Sequence, residues 1–415
     1  MKIGYACLTV GVPGTQHRTC AMKSVTPDVL EGLIQSNLEA LDHILDYNIR
    51  NGIKLFRISS DIITFGSHPV NTVKWWEVFK DQLDAIAQKA KANGLRLSMH
   101  PGQYTVLNSP DPEVVERAVE DLRYHTRFLD ALGLGKEHKI ILHVGGIYGD
   151  KPAAIERFIR QYGRLDENIR QRLVIENDDR QYTVSDVLSI GHSQGIPVVF
   201  DNLHHEVNPD PSHSMREWIA LCASTWKPED GPQKMHYSQQ DRDKRPGSHS
   251  ATVDLDDFLP YYEEIRNSGA DIMLEVKDKN LSAVKCINAI ASPDIRRLEK
   301  EWACYSHMIL EHSPEAHRRI SRLLQNKNAY PVREFYRLID EVVKAPVSPA
   351  NAVMAAREFW DYFKESSDPK TTRSFEKNIA KITEGGSSLP LKRLFCELAE
   401  KETRPDLQNC LYLLA

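Results

Sequence analysis

Eight short apolar runs, alternating with stretches of helical periodicity, constrain this chain more than any other feature. They fall at residues 3–5, 55–59, 95–100, 139–144, 173–177, 197–202, 233–238 and 271–276, with starting points 24 to 52 residues apart. Most of those intervals match one strand–helix–strand step. The stretches between them repeat apolar residues at helical spacing. Two such stretches, 75–93 and 112–132, stop at Gly94 and Gly133, where a helix C-terminus favours glycine. Eight alternations in series predict a closed parallel (β/α)8 TIM barrel over an open doubly wound sheet. No Gly-x-Gly-x-x-Gly run follows the first strand, which weakens a dinucleotide-binding alternative.

The texture changes near residue 300. From 302 to 415 there are no β-rich runs, only helical segments separated by breakers at 345–349, 366–369 and 385–390. The expected organisation is therefore an α/β barrel domain over 1–300 and an all-α domain over 301–415. At 415 residues the chain is long enough for both. No apolar run approaches the ~20 residues of a membrane span. The start carries neither a basic leader nor a long apolar stretch, so no secretory signal is read there. Seven scattered cysteines with no Cys-x-x-Cys pair point to reduced thiols and a cytoplasmic location, not to a disulfide frame or thiolate zinc. A net charge of -5 counts against holding DNA by bulk charge, though metal ions or a local basic stripe would offset it.

The ends of the expected strands carry the chemistry. They supply His100, His143, Glu176, Asp201 with His204, His236 with His249 in the loop after it, and Glu275. In a barrel the C-terminal strand ends converge on one mouth, so six successive strands deliver these groups to one place. Crowded carboxylates without cations would cost many kcal/mol or take up protons. Histidines interleaved with carboxylates suit Mn2+, Zn2+ or Fe2+. Eight ligands are too many for one ion, so two or three divalent metal ions are expected. Such a cluster activates water and stabilises charge on a phosphodiester. A sugar isomerase of the xylose isomerase type is the competing reading, and a damage-binding scaffold with structural metals is a third. The charged loop Asp241-Arg-Asp-Lys-Arg-Pro-Gly-Ser-His offers Arg242, Lys244 and Arg245 as a clamp for a DNA backbone.

The runs Phe56-Arg-Ile-Ser-Ser-Asp, His100-Pro-Gly-Gln-Tyr, His143-Val-Gly-Gly, Ile175-Glu-Asn-Asp, Phe200-Asp-Asn-Leu-His-His and Leu274-Glu-Val-Lys-Asp-Lys resemble the UV damage endonuclease family, in order, over about residues 1–300. The resemblance implies nicking of damaged double-stranded DNA immediately 5′ of pyrimidine dimers, 6–4 photoproducts and some abasic sites. It implies Mn2+ as the usual metal and the eight residues above as its ligands. It places Glu176 where a carboxylate bridges two ions, Lys234 where a lysine beside the metals can be carboxylated, and His68 near the scissile phosphate. Glu176, Lys234, His68 and His236 are thus the expected catalytic groups, with Tyr5, Gln103 and Tyr104 as damage probes. An apurinic/apyrimidinic endonuclease is the nearest alternative. One departure is Leu8-Thr9 after Cys7, where family members often carry asparagine. The later stretches Cys304-Tyr-Ser-His-Met-Ile-Leu-Glu-His-Ser-Pro-Glu and Ala356-Arg-Glu-Phe-Trp-Asp-Tyr-Phe-Lys resemble the YbgA-like helical domain of unknown function. There His307 and His312, five apart, are expected to be structural, and Trp360, Tyr362 and Phe363 to be core.

Overall fold

The computed structural model describes residues 1–414. Eight parallel strands close into a barrel in chain order: β1 Ile3–Ala6, β2 Leu55–Ile58, β3 Arg96–Met99, β4 Lys139–His143, β5 Leu173–Glu176, β6 Val198–Asp201, β7 Lys234–Tyr237 and β8 Asp271–Leu274. Each observed strand coincides with one of the eight apolar runs to within about two residues. The runs are continuous, not alternating, because a barrel strand is covered on both faces, by side chains inside and helices outside.

The flanking helices end as their sequences ask. Pro112–Ala131 starts at Asp111, whose carboxylate accepts from the Glu113 N–H. The glycines after the two expected helices, Gly94 and Gly133, adopt positive φ of 60° and 56°. One expectation needs correcting. The single helix over 75–93 is two, Trp75–Val78 and Lys80–Ala92, meeting at Phe79, whose φ and ψ of -105° and 26° lie outside the helical region. Trp75 is buried at that junction against Tyr124 and Phe128, so tertiary packing overrides the helical period.

The chain forms two compact units. The barrel unit comprises residues 1–10, 14–253 and 260–287; the second comprises 11–13, 254–259 and the chain from 288 on. Helix Ile295–His312 lies in the second unit and contributes Leu310 to its core. That unit is helical throughout. Three of its helices begin with proline behind a serine or aspartate cap, at Ser313, Ser348 and Asp368. Its core is aromatic, with Trp360 stacked on Phe375 at 4.4 Å and Phe363 and Phe395 fully buried. Tyr362, expected in that core, is instead 45% exposed. His307 is buried edge-on against Phe359 with its Nε2 3.9 Å from Glu358 Oε1, and His312 bonds the Ala345 carbonyl; among the described residues neither joins a group of metal-ligating side chains of the kind found in the barrel. No helix is long and apolar enough to cross a membrane, and no disulfide links the cysteines, among the described residues.

Candidate metal centre

Strand register assembles the site. Across β4 and β5, His143 pairs with Glu176; across β6 and β7, Asp201 pairs with His236. Parallel pairing at the C-terminal ends thus sets imidazole beside carboxylate twice. His100, one residue past β3, brings its Nε2 to 2.8 Å from Glu176 Oε1, and His143 Nε2 lies 3.0 Å from the same oxygen. The other oxygen, Oε2, lies 2.6 Å from His236 Nδ1. The ligand atoms of His100, His143 and Glu176 lie within 4.8 Å of one another, and so do those of Glu176, Asp201 and His236. Glu176 belongs to both groups.

Of these contacts, that of His100 Nε2 with Glu176 is a hydrogen bond, whereas that of His236 Nδ1 is not. Glu176 Oε2 and His236 Nδ1 are close, yet neither makes a properly angled hydrogen bond, and both are buried. Asp201 Oδ2, His143 Nδ1 and His236 Nε2 are likewise buried without a hydrogen-bond partner. Buried polar atoms left so are costly and uncommon. Donor atoms converging on common points, several of them without a hydrogen bond, are what cation ligation requires. The nitrogen and oxygen donors, with no sulfur, fit borderline divalent ions.

The surrounding charges agree. Burial alone would raise the Glu176 pKa, but His236 and His143 hold it well below the usual carboxylate range. Burial would lower His204, yet Asp201, Glu176 and Glu275 push it up to about 9. That shift measures a strongly negative mouth. His204 is oriented by its Nδ1, 2.9 Å from the Asn177 carbonyl, which leaves Nε2 for a ligand. Glu275 Oε1 sits 3.2 Å from His236 Nδ1 and 2.5 Å from Arg57 Nη1.

Seven of the eight expected ligands therefore surround one mouth. His249 does not join either group; it is half-buried in the following loop, in an antiparallel bridge with Gln240. Lys234 is fully buried with no hydrogen-bond partner for its Nζ, and burial together with Arg96 lowers its pKa well below normal. As it precedes His236 by two residues on β7, both side chains face inward. His68, Tyr104 and His100 line one groove of about 640 Å³, together with Asp61 and Arg117. His68 is exposed, its Nδ1 accepting from the Val70 N–H. Gln103 is exposed, and Tyr104 is 83% exposed, the most of any large hydrophobic side chain described. Arg242, Lys244 and Arg245 are exposed on their loop, with Lys244 3.3 Å from Asp241.

Tyr5 departs from its expected role as a damage probe. Its ring is fully buried against Phe56, and its hydroxyl donates to Asn48 Oδ1 at 2.9 Å beside Thr9 Oγ1 at 2.8 Å. Its neighbour Ala6 packs inside the barrel with Leu55 and Met273, so the Tyr5 ring faces the helix layer, where Asn48 lies on helix Pro27–Arg50. Thr9, two residues past Cys7, is its partner. Sequence reasoning also passed over Arg57, the cation that holds Glu275, although it lies in a quoted motif. A lone arginine inside an apolar strand run was the available signal. Asn177 was missed as well; it accepts the Asp201 N–H and donates to the Asp201 carbonyl, fixing that ligand's backbone.

Comparison with known proteins was made against this geometry. A family model described as UV-endonuclease UvdE matches residues 1–303, and one described as Protein of unknown function (DUF1722) matches residues 307–414. A curated UV DNA damage endonuclease of Clostridium perfringens (strain 13 / Type A) is 42% identical over 351 residues, covering 83% of this chain and 84% of that protein. One from Bacillus cereus (strain G9842) is 35% identical over 272 residues, covering 65% of this chain and 86% of its own length. Among solved structures, the crystal structure of SacUVDE is similar with a TM-score of 0.67 at 38% identity, over 70% of this chain and 98% of that one.

Proposed function

The chain belongs to the UV-endonuclease UvdE family, and on that premise we propose that it hydrolyses a DNA phosphodiester immediately 5′ of UV photoproducts, and of some abasic sites, using two or three divalent ions, Mn2+ first among them. The observation that carries this reading is the double membership of Glu176: one buried carboxylate shared by two ligand groups beside an open groove. His100 and His143 would hold one ion and Asp201 and His236 a second, with Glu176 between. Glu275 and His204 complete the set. His249 is proposed as a ligand from the family resemblance alone.

Ions held there supply Lewis acidity, which activates water and stabilises charge on the phosphate. The chain's own residues do the rest. Arg57 holds Glu275 in place and offsets its charge. The groove lined by His100 and Tyr104 would seat a sugar-phosphate strand, with His68 on its wall to orient the phosphate. Burial of Lys234 favours the uncharged amine, the form that carboxylation by carbon dioxide would need. Gln103 and Tyr104 project where a lesion would be extruded. A dimer stacks and pairs poorly, so removing it from the helix costs less than removing sound bases. A tyrosine filling the gap recovers roughly 1–3 kcal/mol of stacking. Arg242, Lys244 and Arg245 would grip the backbone at the rim.

One assay separates the alternatives: Mn2+-loaded protein with a duplex bearing a single dimer, beside abasic and intact duplexes. A nick 5′ of the dimer is expected. A nick only at the abasic site would give the apurinic reading instead, and ketose–aldose conversion without nicking would give the isomerase. Glu176→Gln should lower bound metal by one equivalent or more per chain and reduce nicking more than about a hundredfold, because a neutral amide cannot bridge two cations. Full metal content with full activity would remove the bridging role.

A further inference from the structure

The second unit carries an unassigned surface. Its helix Pro369–Thr383 places Lys370, Arg373, Lys377 and Lys381 at steps of three, four and four residues. That spacing aligns them on one helix face. All four are exposed, and none makes an ion pair among the described residues. The helix's one acid, Glu376, is engaged by Arg357 at 3.3 Å.

This arrangement is unusual for the molecule. Its other exposed helical cations are commonly matched by an acid one turn away, as in Lys80–Asp84, Arg170–Glu167 and Arg337–Glu341. Like charges at helical i, i+4 spacing repel, so an unrelieved stripe weakens its own helix. In a chain of net charge -5, such a stripe is a local reversal of sign.

We propose that the Lys370–Arg373–Lys377–Lys381 stripe is a phosphate-tracking surface through which the helical unit adds sequence-independent DNA contacts of its own. The proposal rests on DNA being the substrate. The eleven helical steps from Lys370 to Lys381 span about 16 Å, the length over which one strand of B-DNA presents about five phosphates. Four cations in that span match a backbone, not a single anion. A lipid surface fits less well, because the apolar residues of the same helix, Phe375, Ile379 and Ile382, are buried in the unit's core and leave no face to enter a bilayer.

The test compares the full-length protein with a variant carrying Lys370→Gln, Arg373→Gln, Lys377→Gln and Lys381→Gln. Binding to an intact 30-base-pair duplex is measured from about 50 to 200 mM salt. Each phosphate contact contributes about -0.9 to the slope of log K against log salt, so the variant's slope should be shallower by about 3.6 and its affinity about tenfold or more weaker at the low end. A charge-preserving variant, with lysines and arginine exchanged, should bind like the parent. An unchanged slope in the glutamine variant overturns the proposal, as does loss of binding to phosphatidylserine vesicles with duplex binding intact. Nicking of dimer DNA by the parent protein is read separately, so failure of the stripe and failure of the endonuclease reading give different results.

Discussion

At the level of single residues, Tyr5 and Glu176 show how differently two site positions read. Glu176 was legible because a carboxylate at a strand end has few apolar reasons to be there, and neighbouring strands end in histidine. Tyr5 was not, because a continuous apolar run does not tell whether a tyrosine faces the barrel mouth or the helix layer, where Tyr5 lies. Arg57 stayed unread for a related reason: its partner Glu275 is 218 positions away. The buried hydroxyl of Tyr5 makes a direct prediction. Tyr5→Phe strands Asn48 Oδ1 and Thr9 Oγ1 in the interior, which should lower stability by about 1–3 kcal/mol. Discrimination between dimer and intact duplex should stay as in the parent. Denaturant unfolding and competition binding check the two halves, and a lesion-binding defect at unchanged stability would return Tyr5 to the role of probe.

At the level of elements, the proposed probe residues Gln103 and Tyr104 sit on a loop that is pinned, not free. Thr105 donates to Asp121 Oδ2 at 2.6 Å, tying the end of the Gln103–Tyr104 loop to helix Pro112–Ala131. The same helix reaches the neighbouring loop: His125 Nε2 lies 2.9 Å from Ser60 Oγ, which donates to the His100 carbonyl at 2.8 Å. One helix thus braces both the wedge and a metal ligand, and wedge residues held by rigid elements lose less entropy on binding. Thr105→Val removes the anchor and keeps the volume. It should raise KM for dimer-containing duplex several-fold, leave kcat within about twofold, and leave metal content unchanged. Equal loss on damaged and intact DNA would mean that the anchor serves general binding. The eight strands were legible because each is a short continuous apolar run bounded by polar residues. The bracing was not, since Asp121, His125 and Ser60 look like ordinary helix and loop residues until the fold brings them together. The break at Phe79 was hidden for the same reason: packing around Trp75 decides it, not local propensity.

At the level of the whole molecule, two architectures follow from two periodicities, and the change near residue 300 was visible as the disappearance of β-rich runs. What could not be read was which polar residues the helical unit buries. Glu301 is one. Its carboxyl, 7% exposed, accepts a weak bond from the Tyr336 hydroxyl at 3.3 Å, and that hydroxyl is itself held by Asn288 at 2.9 Å. Burial pushes its pKa up to about 7, against which Tyr336 and Lys300 act only weakly. The unfolded chain releases this proton near pH 4.5 and the folded chain near 7. Between those values folding must hold on to a proton the unfolded chain has lost. Glu301 therefore favours the fold most below pH 4.5 and progressively less as pH rises toward 7, by a total on the order of 3 kcal/mol. Glu301→Gln keeps the shape and abolishes the titration. Relative to the parent, it should be close in stability at pH 5 and more stable at pH 7.5, as judged by thermal unfolding in matched buffers. A difference between the two proteins that is the same at both pH values would show that the carboxyl ionises as freely in the folded unit as in the unfolded chain.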